Sequence, residues 1–166
     1  MCPGWQMRIL GCIAVLAMAA GCRDAEAIVQ PIQFSHAIHV GDNEAVCSDC
    51  HRTVNTSRFA GRPGVEVCGT CHDVMLGDSE EEKRVVAHVE EEREIPWRRL
   101  HRLNPSVYFS HARHVTVGGL DCQTCHGAMA DQKTPPPSAL MALSMDDCIG
   151  CHRTNQVRDD CNACHR

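Results

Sequence analysis

Large aromatic side chains are scarce in this chain: 166 residues carry three Phe, two Trp and one Tyr. So few rings cannot fill the core of even one small domain, so something other than side chains must occupy the interior. The long apolar run, Ile9 to Ala20, has only twelve residues and is too short to span a bilayer. Basic charge is also short, with 16 Lys and Arg against 21 acids and a net charge of -5, which argues against a nucleic-acid partner. No P-loop, dinucleotide fingerprint or nucleophile-base constellation is present, and the alternation expected of strands is missing.

What the chain has instead is cysteine and histidine, thirteen and eleven respectively. Ten of the cysteines fall into five copies of one pattern: Cys47-Ser-Asp-Cys50-His51, Cys68-Gly-Thr-Cys71-His72, Cys122-Gln-Thr-Cys125-His126, Cys148-Ile-Gly-Cys151-His152 and Cys161-Asn-Ala-Cys164-His165. C-x-x-C-H is the attachment signature of c-type haem, and a shuffled chain of this composition would hold on the order of 0.1 copy. The two cysteines reach the two vinyl groups of one porphyrin while His51, His72, His126, His152 or His165 supplies the proximal iron ligand. Five covalently bound haem c groups answer the shortage of core, because each buries a large apolar macrocycle. The rival readings, Cys₄ zinc ribbons or disulfides, need neither a histidine after every second cysteine nor a fixed C-x-x-C spacing.

A repeat runs through the chain at an offset of 75. It carries Phe34-Ser35-His36-Ala37-Ile38-His39-Val40 onto Phe109-Ser110-His111-Ala112-Arg113-His114-Val115, and Cys47, Cys50 and His51 onto Cys122, Cys125 and His126. A second motif follows each, 17 positions after His51 but 22 after His126, the extra length falling around Pro135-Pro136-Pro137. The expected organisation is an N-terminal dihaem unit (22–78), a charged helical linker (79–103) and a C-terminal trihaem unit (104–166). In the linker, Ser79 and Glu82 form a capping box, acids crowd the first turn, Val85, Val86 and Val89 make a narrow apolar stripe, and Pro96 is a stop. Elsewhere the expectation is mainly coil with short α-helices carrying the cysteines, and little or no β-sheet.

Once the five motif histidines are set aside, His36, His39, His88, His101, His111 and His114 remain as distal ligands for five irons. Two histidines three apart lie on one face of a helical turn, so one can reach the haem just downstream and the other a neighbour. His36 is assigned to the haem at Cys47 and Cys50 and His111 to that at Cys122 and Cys125; His39, His114 and His101 serve the other three in an open order. His88, outside the repeat and among glutamates, reads as a partly exposed helix histidine. Met75, Met129, Met141 and Met145 could ligate iron, but flexible core filling is their more frequent role.

The first 21 residues, with Arg8, no acid and the short apolar run, read as a lipoprotein-type signal peptide. They end in Ala-Ala-Gly before Cys22, which resembles a lipobox and makes Cys22 the lipidation site. Arg23 stands where an Asp would favour inner-membrane retention, so the expected location is the periplasmic or cell-surface side, anchored by lipid and preferentially at the outer membrane. Met7 is an alternative start. Without the leader the charge becomes -6, with fifteen bases against 21 acids.

F-S-H-x-x-H followed by C-x-x-C-H resembles the class III multihaem c-type cytochromes, the cytochrome c3/c7 group. The stretch from Ile95 to Gly127, IPWRRLHRLNPSVYFSHARHVTVGGLDCQTCHG, resembles the pentahaem cytochrome subunits of alternative complex III and the quinone reductase complex. The resemblance implies bis-His haems and an electron-transfer role rather than an enzymatic one. It also implies redox partners: iron-sulfur, molybdopterin-type or quinol-oxidising membrane subunits, and other cytochromes. The alternative is a small nitrite, sulfite or peroxide reductase with one open-coordinate haem; a haem-based sensor lacks an output domain. Because a distal histidine must be neutral to bind iron, acid should strip it off, beginning well below the pKa of a free histidine. A pH titration of the visible spectrum should show this as conversion to high-spin haem at low pH, whereas spectra that stay wholly low-spin in acid that unfolds the chain would contradict it.

Overall fold

Four of the five C-x-x-C-H motifs close a single helical turn for the same local reason, and the one at Cys148 lies within a longer helix. In a computed structural model, which describes residues 27–165, the histidine N–H donates to the carbonyl of the first cysteine. The pairs are His51 to Cys47, His72 to Cys68, His126 to Cys122 and His165 to Cys161, at 2.9–3.0 Å. Residues i and i+3 of such a turn share a face, so both thiols point the same way with the imidazole beside them. The proposed signal segment and Cys22 lie outside the described residues.

These turns account for most of the helices. They are α1 (Cys47–Cys50), α2 (Val65–Cys68), α4 (Gln123–His126), α5 (Met145–Thr154) and α6 (Cys161–Cys164), to which the linker adds α3 (Glu80–Glu90). Among the described residues there is no strand, only an isolated antiparallel bridge between Val107 and His165. The chain is mostly coil with short helices, and no described helix is long and apolar enough to cross a membrane. α5 starts on a complete capping box: Ser144 Oγ accepts from Asp147 N–H, and the Asp147 carboxylate accepts from Ser144 N–H at 2.8 Å.

α3 forms where its caps and acids place it, with two differences from expectation. Ser79 Oγ accepts from Glu82 N–H at 3.1 Å, but the Glu82 carboxylate does not return to Ser79. It accepts instead from Leu76 N–H at 2.7 Å and Gly77 N–H at 2.9 Å, pinning the loop that follows Cys71. The helix also ends at Glu90, before Pro96, with Glu92 in the left-handed region at φ 48°. His88, expected to be partly exposed, is buried with Val86. Its Nδ1–H donates to Arg93 O at 2.7 Å, and the Arg93 guanidinium reaches its Nε2 at 3.2 Å. The hairpin after α3 thus closes both ring nitrogens, and α3 packs on α2, with Gly69 against Val89.

The two copies of the repeat hold one another reciprocally. Ala37 N–H donates to Gln132 O and Ala112 N–H donates to Ser57 O, both at 3.0 Å. Shifting by 75 exchanges Ala37 with Ala112 and Ser57 with Gln132, so each bond is the copy of the other, as in an isologous dimer interface. Thr116 Oγ1–H adds a bond to Asn55 O at 2.9 Å. The linker after α3 is tied to both sides: Arg62 donates to Trp97 O, and Gln30 clamps the Arg98 backbone with bonds of 2.7 and 2.9 Å.

The apolar core is as thin as the composition implies. Ile32, Val54, Val86 and Ile95 are the buried aliphatic residues among those described, while Val117 is 83% exposed and Leu76 68%. With so little apolar burial, individual polar ties matter. Gln30→Ala leaves a donor and an acceptor of the linker backbone without their partner and should cost about 2 kcal/mol. Urea unfolding of the haem-loaded protein, followed by Soret circular dichroism, measures this; an unchanged midpoint would show that the clamp contributes nothing.

Candidate functional site

The ten motif cysteines are free thiols, and the groups that perturb them trace a succession of motifs through space. Burial pushes the Cys68 thiol up, and the next cause is the neighbouring Cys50. Burial raises Cys122 too, followed by Cys47, which lies within hydrogen-bond reach across the join between repeats. Cys125 is raised by burial and then by Cys151, and Cys148 by burial and then by Cys164. The order in space is therefore 68/71, 47/50, 122/125, 148/151, 161/164, which crosses the pseudo-symmetry axis between Cys47 and its own copy Cys122.

The two F-S-H-x-x-H segments stack their histidines on the phenylalanine in the same way. Each enters a π-helical turn, Ala37–Asp42 and Arg113–Val117, in which Asn43 N–H returns to Ile38 O and Gly118 N–H to Arg113 O, both at 2.9 Å. Phe34 stacks on His39 with ring centres 4.3 Å apart and meets His36 edge-on at 4.9 Å. Phe109 does the same to His114 at 4.5 Å and to His111 at 4.8 Å. Ser35 O accepts from His39 Nδ1–H and Ser110 O from His114 Nδ1–H, each at 2.8 Å. The phenylalanine and the serine carbonyl thus orient the second histidine, a role visible in the sequence only as a repeated letter.

These histidines face motif histidines. Ring centres lie 6.2 Å apart for His39 and His72, 6.3 Å for His111 and His126, and 6.1 Å for His114 and His152. His36 is held below the usual imidazole range by burial first and then by the nearby His51 and His39, which places it beside His51. Its Nδ1 is buried without a partner, whereas its copy His111 donates to Arg58 O at 3.0 Å. Four of the five expected distal histidines thus stand by motif histidines. The fifth, His101, is not brought to His165; it sits against His126, with Nε2 3.1 Å from His126 Nδ1.

The Nδ1 atoms of His51, His72, His126 and His152 are also engaged, in each case with a different partner. His51 donates to Gly61 O at 2.8 Å, His152 to Arg158 O at 2.8 Å, and His72 to the Glu82 carboxylate at 3.2 Å. Backbone hydrogen bonds from Leu76 and Gly77, with His72 after them, hold the Glu82 carboxyl below the usual carboxylate range. Burial, then His101, His111 and His51, lowers His126 to about 4.

This donor set fits haem. An imidazole whose Nδ1–H is committed to an acceptor offers Nε2 to a metal, and two metal-imidazole bonds of about 2 Å space the ring centres by roughly 6 Å. Among the described residues, no three His, Cys, Asp or Glu side chains converge as they would on a bare metal ion.

Comparison with known proteins agrees. The profile of the family described as cytochrome c7 and related cytochrome c matches residues 32–91 and again 107–166. The multiheme cytochrome c subunit of a menaquinone reductase from Nitratidesulfovibrio vulgaris is 32% identical over 156 residues, covering 81% of this chain and 74% of that protein. Two family matches fall on the two copies of the repeat, each with its own paired histidines and C-x-x-C-H turns, and the chain belongs to the cytochrome c7 family of multihaem c-type cytochromes.

Proposed function

We propose that this chain is a pentahaem electron carrier, lipid-anchored through Cys22 on the periplasmic or cell-surface side. It would pass electrons between a quinol-linked membrane oxidoreductase and another redox protein. The observation that carries this reading is the single-file order of the five attachment motifs, each beside the next, with paired histidines flanking four of them. The relative is a subunit of a menaquinone reductase, which supports partners of the quinol-oxidising, iron-sulfur or molybdopterin-type membrane class. When bound, haem supplies reversible one-electron chemistry at iron.

The residues would hold five haem c groups through Cys47/Cys50, Cys68/Cys71, Cys122/Cys125, Cys148/Cys151 and Cys161/Cys164. Proximal ligands are His51, His72, His126, His152 and His165. His36 pairs with His51, His39 with His72, His111 with His126 and His114 with His152. The protein's contribution is to fix the ring orientations and to keep each Nε2 free.

Two measurements test this reading. Mixing the haem-loaded protein with a reduced low-potential donor should reduce all haems in one rapidly equilibrating phase, with no turnover of nitrite, sulfite or peroxide. Sustained consumption of any of these would replace the carrier with a reductase. The second concerns the carboxylate on His72, which makes that imidazole more basic and favours ferric iron. Glu82→Gln keeps an acceptor but removes the charge, so one haem midpoint should move upward in a potentiometric titration while the others stay. An unmoved set of midpoints would show that Glu82 acts only on the backbone of Leu76 and Gly77.

A further inference from the structure

His101 is on the wrong histidine for a fifth axial ligand. Its Nε2 lies 3.1 Å from His126 Nδ1, with the rings perpendicular at 88° and their centres 4.5 Å apart. His126 already faces His111 across 6.3 Å with ring planes 6° apart, so it has a partner on its other side. If His126 presents Nε2 to its haem, as its place in the motif requires, its proton sits on Nδ1, and the only role left for His101 Nε2 is to accept that proton's hydrogen bond. A nitrogen whose lone pair is used in this way is not free for iron.

The remaining histidines are also spoken for. His88 has both ring nitrogens closed by Arg93, and His36, His39, His111 and His114 stand by His51, His72, His126 and His152. The copy of His126 in the first repeat, His51, uses the Gly61 carbonyl, and the residue 75 positions before His101 is Glu26, so the His101 contact belongs to the second repeat alone. The linker stretch that carries His101 is held in place by the Gln30 clamp on Arg98 and by Arg62 on Trp97.

We infer that His101 is a positioning residue for His126, not an iron ligand, and that the haem at Cys161 and Cys164 is the one of the five without a distal histidine. The inference rests on the pentahaem reading above. An imidazole acceptor draws on the Nδ1 proton more strongly than a carbonyl would, making Nε2 of His126 a better donor to iron and holding that haem at lower potential.

The test uses the haem-loaded full chain and its variants His101→Ala and His101→Gln, compared by haem stoichiometry, EPR and potentiometric titration. Fewer than five haems in the unaltered protein would overturn the pentahaem reading itself; the following outcomes presuppose five. The unaltered protein should show four bis-His low-spin haems and a fifth that is not bis-His. Both variants should keep that set. His101→Ala should move one midpoint upward, and His101→Gln, whose amide oxygen can accept from Nδ1–H, should bring it back toward the original value. Five bis-His haems in the unaltered protein, conversion of one bis-His haem to high spin in either variant, or midpoints unmoved by His101→Ala would each overturn the inference. If His101→Ala fails to assemble, His101→Gln still decides, because it can accept the hydrogen bond but cannot replace a ligating imidazole.

Discussion

The site depends on one small interaction, the hydrogen bond from an imidazole Nδ1–H to a fixed acceptor. It selects the tautomer, sets the ring plane and leaves Nε2 as the single free ligand atom. Most of the acceptors are backbone carbonyls: Ser35 for His39, Gly61 for His51, Ser110 for His114, Arg58 for His111 and Arg158 for His152. A chain with four buried aliphatic residues among those described has little side-chain packing with which to hold rings in place. Short local loops that return a carbonyl to the histidine do so without a core, which is how so coil-rich a chain can present ordered ligands.

The reciprocal join of the two repeats determines which motifs become neighbours. Because Ala37 bonds to Gln132 and Ala112 to Ser57, each paired-histidine segment is braced by the other repeat, and Cys47 meets Cys122. Duplication with a two-fold relation converts two short rows of motifs into one longer row, with the fifth motif, in α6 (Cys161–Cys164), extending it at one end. No large interface is needed, since a few backbone bonds fix the register.

Much of this was legible in the residues. The C-x-x-C-H spacing carries its own chemistry, the repeat at offset 75 is exact across the paired histidines, and the shortage of aromatics anticipates the thin core. The parts that were not legible depend on contacts distant in sequence. His88 read as a partly exposed helix histidine because its neighbours are glutamates, yet the turn at Glu92 brings Arg93 back over its ring. Glu82 looked like the second half of a capping box, but the loop at Leu76 and Gly77 offered better placed donors than Ser79 did. The π-helical turns at His39 and His114 could not be distinguished from α-helical ones by spacing alone.

A duplicated row of equivalent sites would have no preferred direction, so the differences between copies carry as much information as the likeness. The acceptor on the first motif histidine is a carbonyl in one repeat, Gly61, and an imidazole in the other, His101. On the second it is a carboxylate in one repeat, Glu82, and a carbonyl in the other, Arg158. Proximal imidazoles become better donors to ferric iron in the order carbonyl, imidazole, carboxylate. A carboxylate on His72 would accordingly make the site at Cys68 and Cys71 the more oxidised-favouring of the two in the first repeat. Duplication supplies the spacing of the row, and these four acceptors, none of them within a C-x-x-C-H motif, make the two repeats unequal.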